Sequence, residues 1–184
     1  FVESDETVNI KYKGKRLEPD TLYFVECVVT VDGKEYATES EFRTGLFETP
    51  ISHIKWIRPN VAEEEYEFAP YFRKDFDLES CEVAFATAYI SARGWAEPYI
   101  NGKRLDEKEV MAPAHSRKKN NAYLRAYDVT DFLKQGKNTV GVVLGNGYSD
   151  HFRPHACYVG GKALWALISV TFTDGSYANI ISDS

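Results

Sequence analysis

Cysteine is scarce in this sequence: Cys27, Cys81 and Cys157 are the whole complement of 184 residues. They stand far apart and form no CxxC pair, which excludes a zinc pattern and a disulfide framework. Buried, reduced thiols are the expectation, with one disulfide and a free thiol as the alternative. Long hydrophobic runs are missing too. None approaches the ~18 residues that a transmembrane helix needs. Positive charge is in deficit, with 22 Lys and Arg against 28 Asp and Glu. A net charge of −6 argues against a nucleic-acid backbone or an anionic membrane as main partner. No GxSxG elbow and no HExxH helix motif occurs, so two common hydrolase signatures are absent. The opening FVESDETVNI has no Met and no basic, apolar leader. Both ends read as cuts inside a longer protein. Cysteines without a pairing pattern lean toward a bacterial cytoplasm, with a periplasmic or secreted location as the alternatives.

Aromatic residues, in contrast, reach 14%, with 12 Tyr, 11 Phe and 3 Trp. That richness favours sheet cores and surfaces that stack on flat ligands. Helical periodicity is rare, and period-two runs broken by turn signals dominate. Tyr23, Val25, Cys27 and Val29 share one face of a strand that ends at Asp32-Gly33. Asp-Gly between two such runs predicts a hairpin, because a type I′ turn needs positive φ at both central residues. Asn101-Gly102 predicts a second hairpin on the same grounds. Pro98, just before it, cannot donate to a ladder and belongs on an edge or at a bulge.

Phe72, Lys74, Phe76 and Leu78 alternate in a further strand, with a slip near its end. VAFATAYISA, from Val83 to Ala92, mixes large and small side chains and is broken at Gly94. Thr139 to Leu144 and Ala163 to Phe172 are apolar strands, the latter turned at Asp174-Gly175. Between Asp128 and Gly136 the sequence predicts a helical turn, with Thr130 as N-cap and Gly136 as left-handed stop. From Leu46 to Pro70 lies a connector with three prolines and the acidic run Glu63-Glu64-Glu65. Trp56-Ile57 is its expected apolar anchor. The sum is an all-β chain: residues 1–45 a partial β-sandwich, 46–66 a linker, 67–184 an antiparallel jelly-roll β-sandwich.

These residues resemble a known family. YFRKDFDL, AYISARGWAEPYINGKRL and YDVTDFLKQGKNTVGVVLGNGY resemble the N-terminal, galactose-binding-like β-sandwich of bacterial α-L-rhamnosidases of glycoside hydrolase family 78. The strand with Tyr23, Asp32-Gly33, and the junction Phe42-Arg43-Thr44-Gly45-Leu46 running to Lys55-Trp56-Ile57 resemble the fibronectin-III-like domain before it. Three features depart from the pattern: Pro98, Tyr148 where Trp is common, and SDHFRPHA in place of a glycine-rich continuation. The resemblance implies a parent enzyme that removes terminal α-L-rhamnose from glycans. It also implies inverting catalysis by carboxylates of a separate (α/α)6 barrel downstream. No catalytic residue is therefore assigned to this chain, and that barrel is its expected partner.

The remaining chemistry is weighed on the residues themselves. Glu63–Glu65, Asp75, Asp77 and Glu79 lie on a linker or a strand edge rather than across a cleft. Ser149-Asp150-His151 is a compressed imitation of a triad whose members normally come from separate segments. His151 and His155 are spaced for one helix face, but Pro154 stands between them, so no zinc is assigned. No cofactor is expected. Calcium is the ion that Asn146, Asp150 and loop carbonyls would suit, as hard oxygen ligands; Asx turns explain the same residues. Carbohydrate binding needs aromatic faces for sugar C–H groups and polar side chains for hydroxyls. Its candidates are Trp95, His115, Asn146, Tyr148, Asp150, His151 and Arg153, with a rhamnose-containing carbohydrate as ligand. The same residues would also suit packing on a neighbouring domain.

Overall fold

The structure, a computed structural model, describes residues 2–6, 8–60, 68–79, 82–114, 121–147 and 161–183. The chain divides into two compact units, Phe1–Pro50 and Ile51–Ser184.

In the first unit, β1 (Leu22–Val31) and β2 (Lys34–Arg43) form an antiparallel two-stranded ribbon in unbroken register. The predicted Asp-Gly turn joins them, with positive φ at Asp32 and Gly33. Alternation puts Tyr23, Val25, Cys27, Val29 and Val31 on one face, opposite Phe42, Ser40, Thr38, Tyr36 and Lys34. Most of this apolar face is exposed. Cys27 is exposed with it, which corrects the expectation of a buried thiol: a ribbon alone has no second layer to bury it. Cys81 and Cys157 lie outside the described residues. Thr44, buried, fastens the end of the ribbon. Its Oγ1 donates to the Glu18 carbonyl at 2.6 Å and accepts from the Thr21 N–H at 2.9 Å.

The second unit is an antiparallel β-sandwich. Its strands are β3 (Tyr71–Leu78), β4 (Val83–Arg93), β5 (Trp95–Ile100), β6 (Lys103–Arg104), β7 (Leu124–Asp128), β8 (Gly136–Gly145), β9 (Ala163–Phe172) and β10 (Tyr177–Ile181). Among the described residues they form two four-stranded sheets, ordered β10-β9-β4-β7 and β3-β8-β5-β6. Eight strands in two layers is the layering of a jelly roll. The core lies between the sheets. Ala86, Ala88, Ile90 and Ala92 of β4, with Leu164, Ile168, Val170 and Phe172 of β9, meet Leu78, Ile100, Val142 and Leu144 from the other sheet. The small residues of β4 leave room for the larger ones opposite, which is how two pleated faces interdigitate. Thr87, Tyr89 and Ser91 on the other face of β4 are buried as well.

Three details differ from the sequence reading. The β3–β8 pairing runs unbroken from Tyr71 to Leu78, with no slip. The helical turn is a three-residue 3-10 turn, Thr130–Phe132, and Thr130 is not its N-cap: Val129 holds that place without a side-chain bond. The Asp128 carboxylate instead accepts from the Thr130 N–H and hydroxyl, at 3.0 and 2.7 Å. The Thr130 hydroxyl oxygen in turn accepts from the Ala86 N–H. An aspartate two residues earlier offers a stronger acceptor than a hydroxyl, so it takes the turn as an Asx motif. Gly136 has the left-handed φ expected of it, +78°, but opens β8 rather than ending a helix. The connector residue Ile57 bridges Leu164 of β9, and Ile54 is buried while Trp56 stays 43% exposed. The isoleucines, not the tryptophan, carry the anchor.

Candidate functional site

The site begins at a corner. β4 and β5 belong to different sheets, yet Gly94 alone separates Arg93 from Trp95. Its φ is +127°, and a Cβ there would overlap the Gly145 carbonyl oxygen. Only glycine allows the strand to switch sheets in a single residue. The switch delivers Trp95, half-buried, to the start of β5 beside the end of β8.

β5 then keeps one side of its first half unpaired by a strand. Its partner β6 is two residues long and stops at Arg104. Pro98 explains the stop. Its carbonyl accepts the Leu105 N–H at 3.0 Å, so its nitrogen faces the same side, where it has no hydrogen to give. The ladder ends there, and the chain from Leu105 swings out as a loop. It returns at Ala112, whose carbonyl accepts the Ala96 N–H at 2.7 Å. Asp106 shapes the loop: its Oδ1 accepts from the Lys108 and Glu109 N–H groups at 2.8 and 3.1 Å.

The gap between this loop, the free half of β5 and the edge strand β7 is a cleft of about 250 Å³. Trp95, Val110, Met111 and Pro98 supply apolar wall, and Glu97, Arg104, Asp106, Glu109 and Tyr127 supply polar wall. Val110 and Met111 are exposed at its lip, and Met111 holds a left-handed φ of +57°, unusual for a side chain of its kind. Tyr127 is rooted in the core, and its hydroxyl donates to Glu109 Oε2 at 2.6 Å. Burial, then that bond to Glu109, pushes the Tyr127 phenol well above its ordinary range. Arg125 takes the other Glu109 oxygen and lies over the Tyr127 ring. Arg104 donates to the Glu109 carbonyl at 2.8 Å and sits 3.5 Å from Glu97 Oε2. Glu97 Oε1 accepts from the Tyr99 hydroxyl, a bond that raises the Tyr99 pKa.

Of the residues singled out in the sequence, Trp95 lines this cleft. Asn146 is exposed and follows Gly145, another lining residue. His115, Tyr148, Asp150, His151 and Arg153 lie outside the described residues, as do His155 and the Glu63–Glu65 run. Among the described residues, no group of three or more His, Cys, Asp or Glu side chains could hold a metal ion. Sequence reading missed Arg104, Asp106, Glu109 and Tyr127. The available signal was Pro98 before the Asn-Gly turn, which marks where the ladder must fail.

Comparison with known proteins follows the same lines. Residues 81–184 match the α-L-rhamnosidase N-terminal domain family. Two curated α-L-rhamnosidases of Formosa agariphila are 28% and 31% identical over 99% and 98% of this chain. The chain spans about a fifth of their length, 22% and 21%. An α-L-rhamnosidase structure from Dictyoglomus thermophilum superposes over 95% of the chain, with a TM-score of 0.78 at 31% identity, and the match takes up 21% of that chain. One from Aspergillus terreus gives 0.79 at 29% identity over 93%, again 21% of that chain. With its β-sandwich matched from residue 81 onward, the chain belongs to the α-L-rhamnosidase N-terminal domain family.

Proposed function

We propose that the chain is a non-catalytic accessory module of an enzyme hydrolysing terminal α-L-rhamnose, and that the cleft beside Trp95 binds carbohydrate. The carrying observation is the composition of that cleft: an indole, a lip of Val110 and Met111, and polar groups from three strands and a loop. Aromatic and aliphatic wall suits the C–H face of a pyranose, and fixed acceptors and donors suit its hydroxyls. The carboxylates are engaged in holding the site. Both oxygens of Glu109 are taken, Glu97 is shared by Tyr99 and Arg104, and Asp106 accepts from two backbone N–H groups. Such groups serve binding better than proton transfer. Catalysis is assigned to an (α/α)6 domain elsewhere in the longer polypeptide.

Titration of the chain with L-rhamnose, with and without calcium, tests the reading by calorimetry and by amide shifts. Shifts at Trp95, Met111 and Tyr127 are expected, and Trp95→Ala is expected to weaken binding at least tenfold. The absence of heat and of shifts at tens of millimolar sugar would remove the lectin role. Turnover of p-nitrophenyl α-L-rhamnoside by the pure chain would overturn the non-catalytic assignment.

A scaffold role without ligand is favoured by a different observation, the exposed apolar face of the β1–β2 ribbon. On this reading the ribbon is part of a fibronectin-III-like sandwich, and the module supports the catalytic domain through packing alone. Unchanged hydrolysis by a full-length Trp95→Ala enzyme on polymeric substrate would favour it.

A further inference from the structure

The cleft has a charge asymmetry that bears on which sugars it can take, granted the carbohydrate reading above. Among the described residues, three carboxylates line it, Glu97, Asp106 and Glu109, against one guanidinium, Arg104. That guanidinium is already committed to the Glu109 carbonyl and to Glu97. Arg125 is paired with Glu109 and lies against Tyr127. An arriving anion would find a guanidinium already shared with Glu97 and would place its own charge beside three carboxylates. A sugar hydroxyl brings no charge and can donate to a carboxylate oxygen whose other bonds stay in place. The volume, about 250 Å³, falls below the ~300–1,000 Å³ of sites for drug-sized ligands. It fits one pyranose ring, so a ring substituent cannot lie far from the carboxylates. At such separations like charges repel measurably even when partly screened.

We infer that the cleft is a charge filter: it takes an uncharged pyranose and rejects one that carries a carboxylate. In a glycan that mixes neutral and uronic residues, the module would therefore sit on the neutral ones. Asp106 is the residue best placed to test this. Replacing it by Asn removes a negative charge while keeping the Oδ1 that accepts the Lys108 and Glu109 N–H groups.

The experiment uses the 184-residue chain and matched methyl glycosides: glucose and glucuronate, galactose and galacturonate, mannose and mannuronate, with methyl α-L-rhamnoside alongside. Amide shifts report affinity at low salt and at 0.5 M salt. A neutral member that binds at least tenfold tighter than its uronate supports the filter. So does a narrowing of that ratio, several-fold with Asp106→Asn and further with salt, while Asp131→Asn, away from the cleft, leaves it unchanged. A uronate binding within threefold of its neutral partner, or tighter, overturns the filter and leaves carbohydrate binding standing. A ratio that Asp106→Asn does not move also overturns it. If no sugar of either charge shifts the cleft residues, the carbohydrate reading fails and the filter with it.

Discussion

The two units both build antiparallel strands that carry an apolar face, and those faces meet opposite fates. In the sandwich, Ile90 and its neighbours on β4 face a second sheet and are almost wholly buried. In the ribbon, Val25, Val29, Val31 and Tyr36 form an equally apolar face, yet each is about half exposed. Period-two patterning states which face should be covered; only a second layer covers it. A two-stranded ribbon alone is marginal in water, and a contiguous exposed apolar face of this kind marks an interaction surface.

The sharpest way to break the comparison is at the corner. Gly94→Ala forces a Cβ onto the Gly145 carbonyl and strains a φ of +127°. A loss on the order of 3 kcal/mol is expected in denaturant unfolding of the second unit. Next comes a matched pair of truncations. Ile90→Ala should cost about 2–5 kcal/mol because it leaves a cavity. Val29→Ala should stay within about 0.5 kcal/mol, as surface changes do. A cost at Val29 as large as at Ile90 would show the ribbon face to be covered in solution. The smallest effect concerns an exposed pair on β3 and β8. The Thr139 hydroxyl, then Arg73, holds the Asp75 carboxyl below its ordinary value. A depressed acid stabilises the fold above its unfolded pKa of 3.8, and this contribution fades as pH falls through the lower folded value. Thr139→Val should therefore lower the melting point slightly at pH 7, and the difference should shrink as pH falls below 3.8.

How far the sequence could be read follows from the same physics. The turns at Asp32-Gly33 and Asn101-Gly102 were legible because their backbone demands positive φ, a local requirement. The apolar strands β4, β8 and β9 were legible because they are central and buried. Strand β7 was not. In LRAYD only Tyr127 is buried, so an edge strand with one inward residue shows no period. The cleft was largely hidden for another reason. Its walls come from residue 69 and from within 95–98, 104–112, 127 and 143–145, and only folding brings them together. Trp95 could be singled out by its type. Arg104, Asp106 and Glu109 look like an ordinary solvated loop until one knows that β6 stops after two residues.

Gly94 also sets a rule of length. With one residue between two strands of opposite sheets, there is no slack at that crossing. A single added or deleted residue between Ala92 and Ala96 would turn the side chains of β5 inside out, putting Trp95 and Glu97 into the core and Ala96 and Ile100 into water. The Asp174-Gly175 turn between β9 and β10 has no such constraint. Natural length variation and engineered insertions should therefore collect at the latter and be barred from the former.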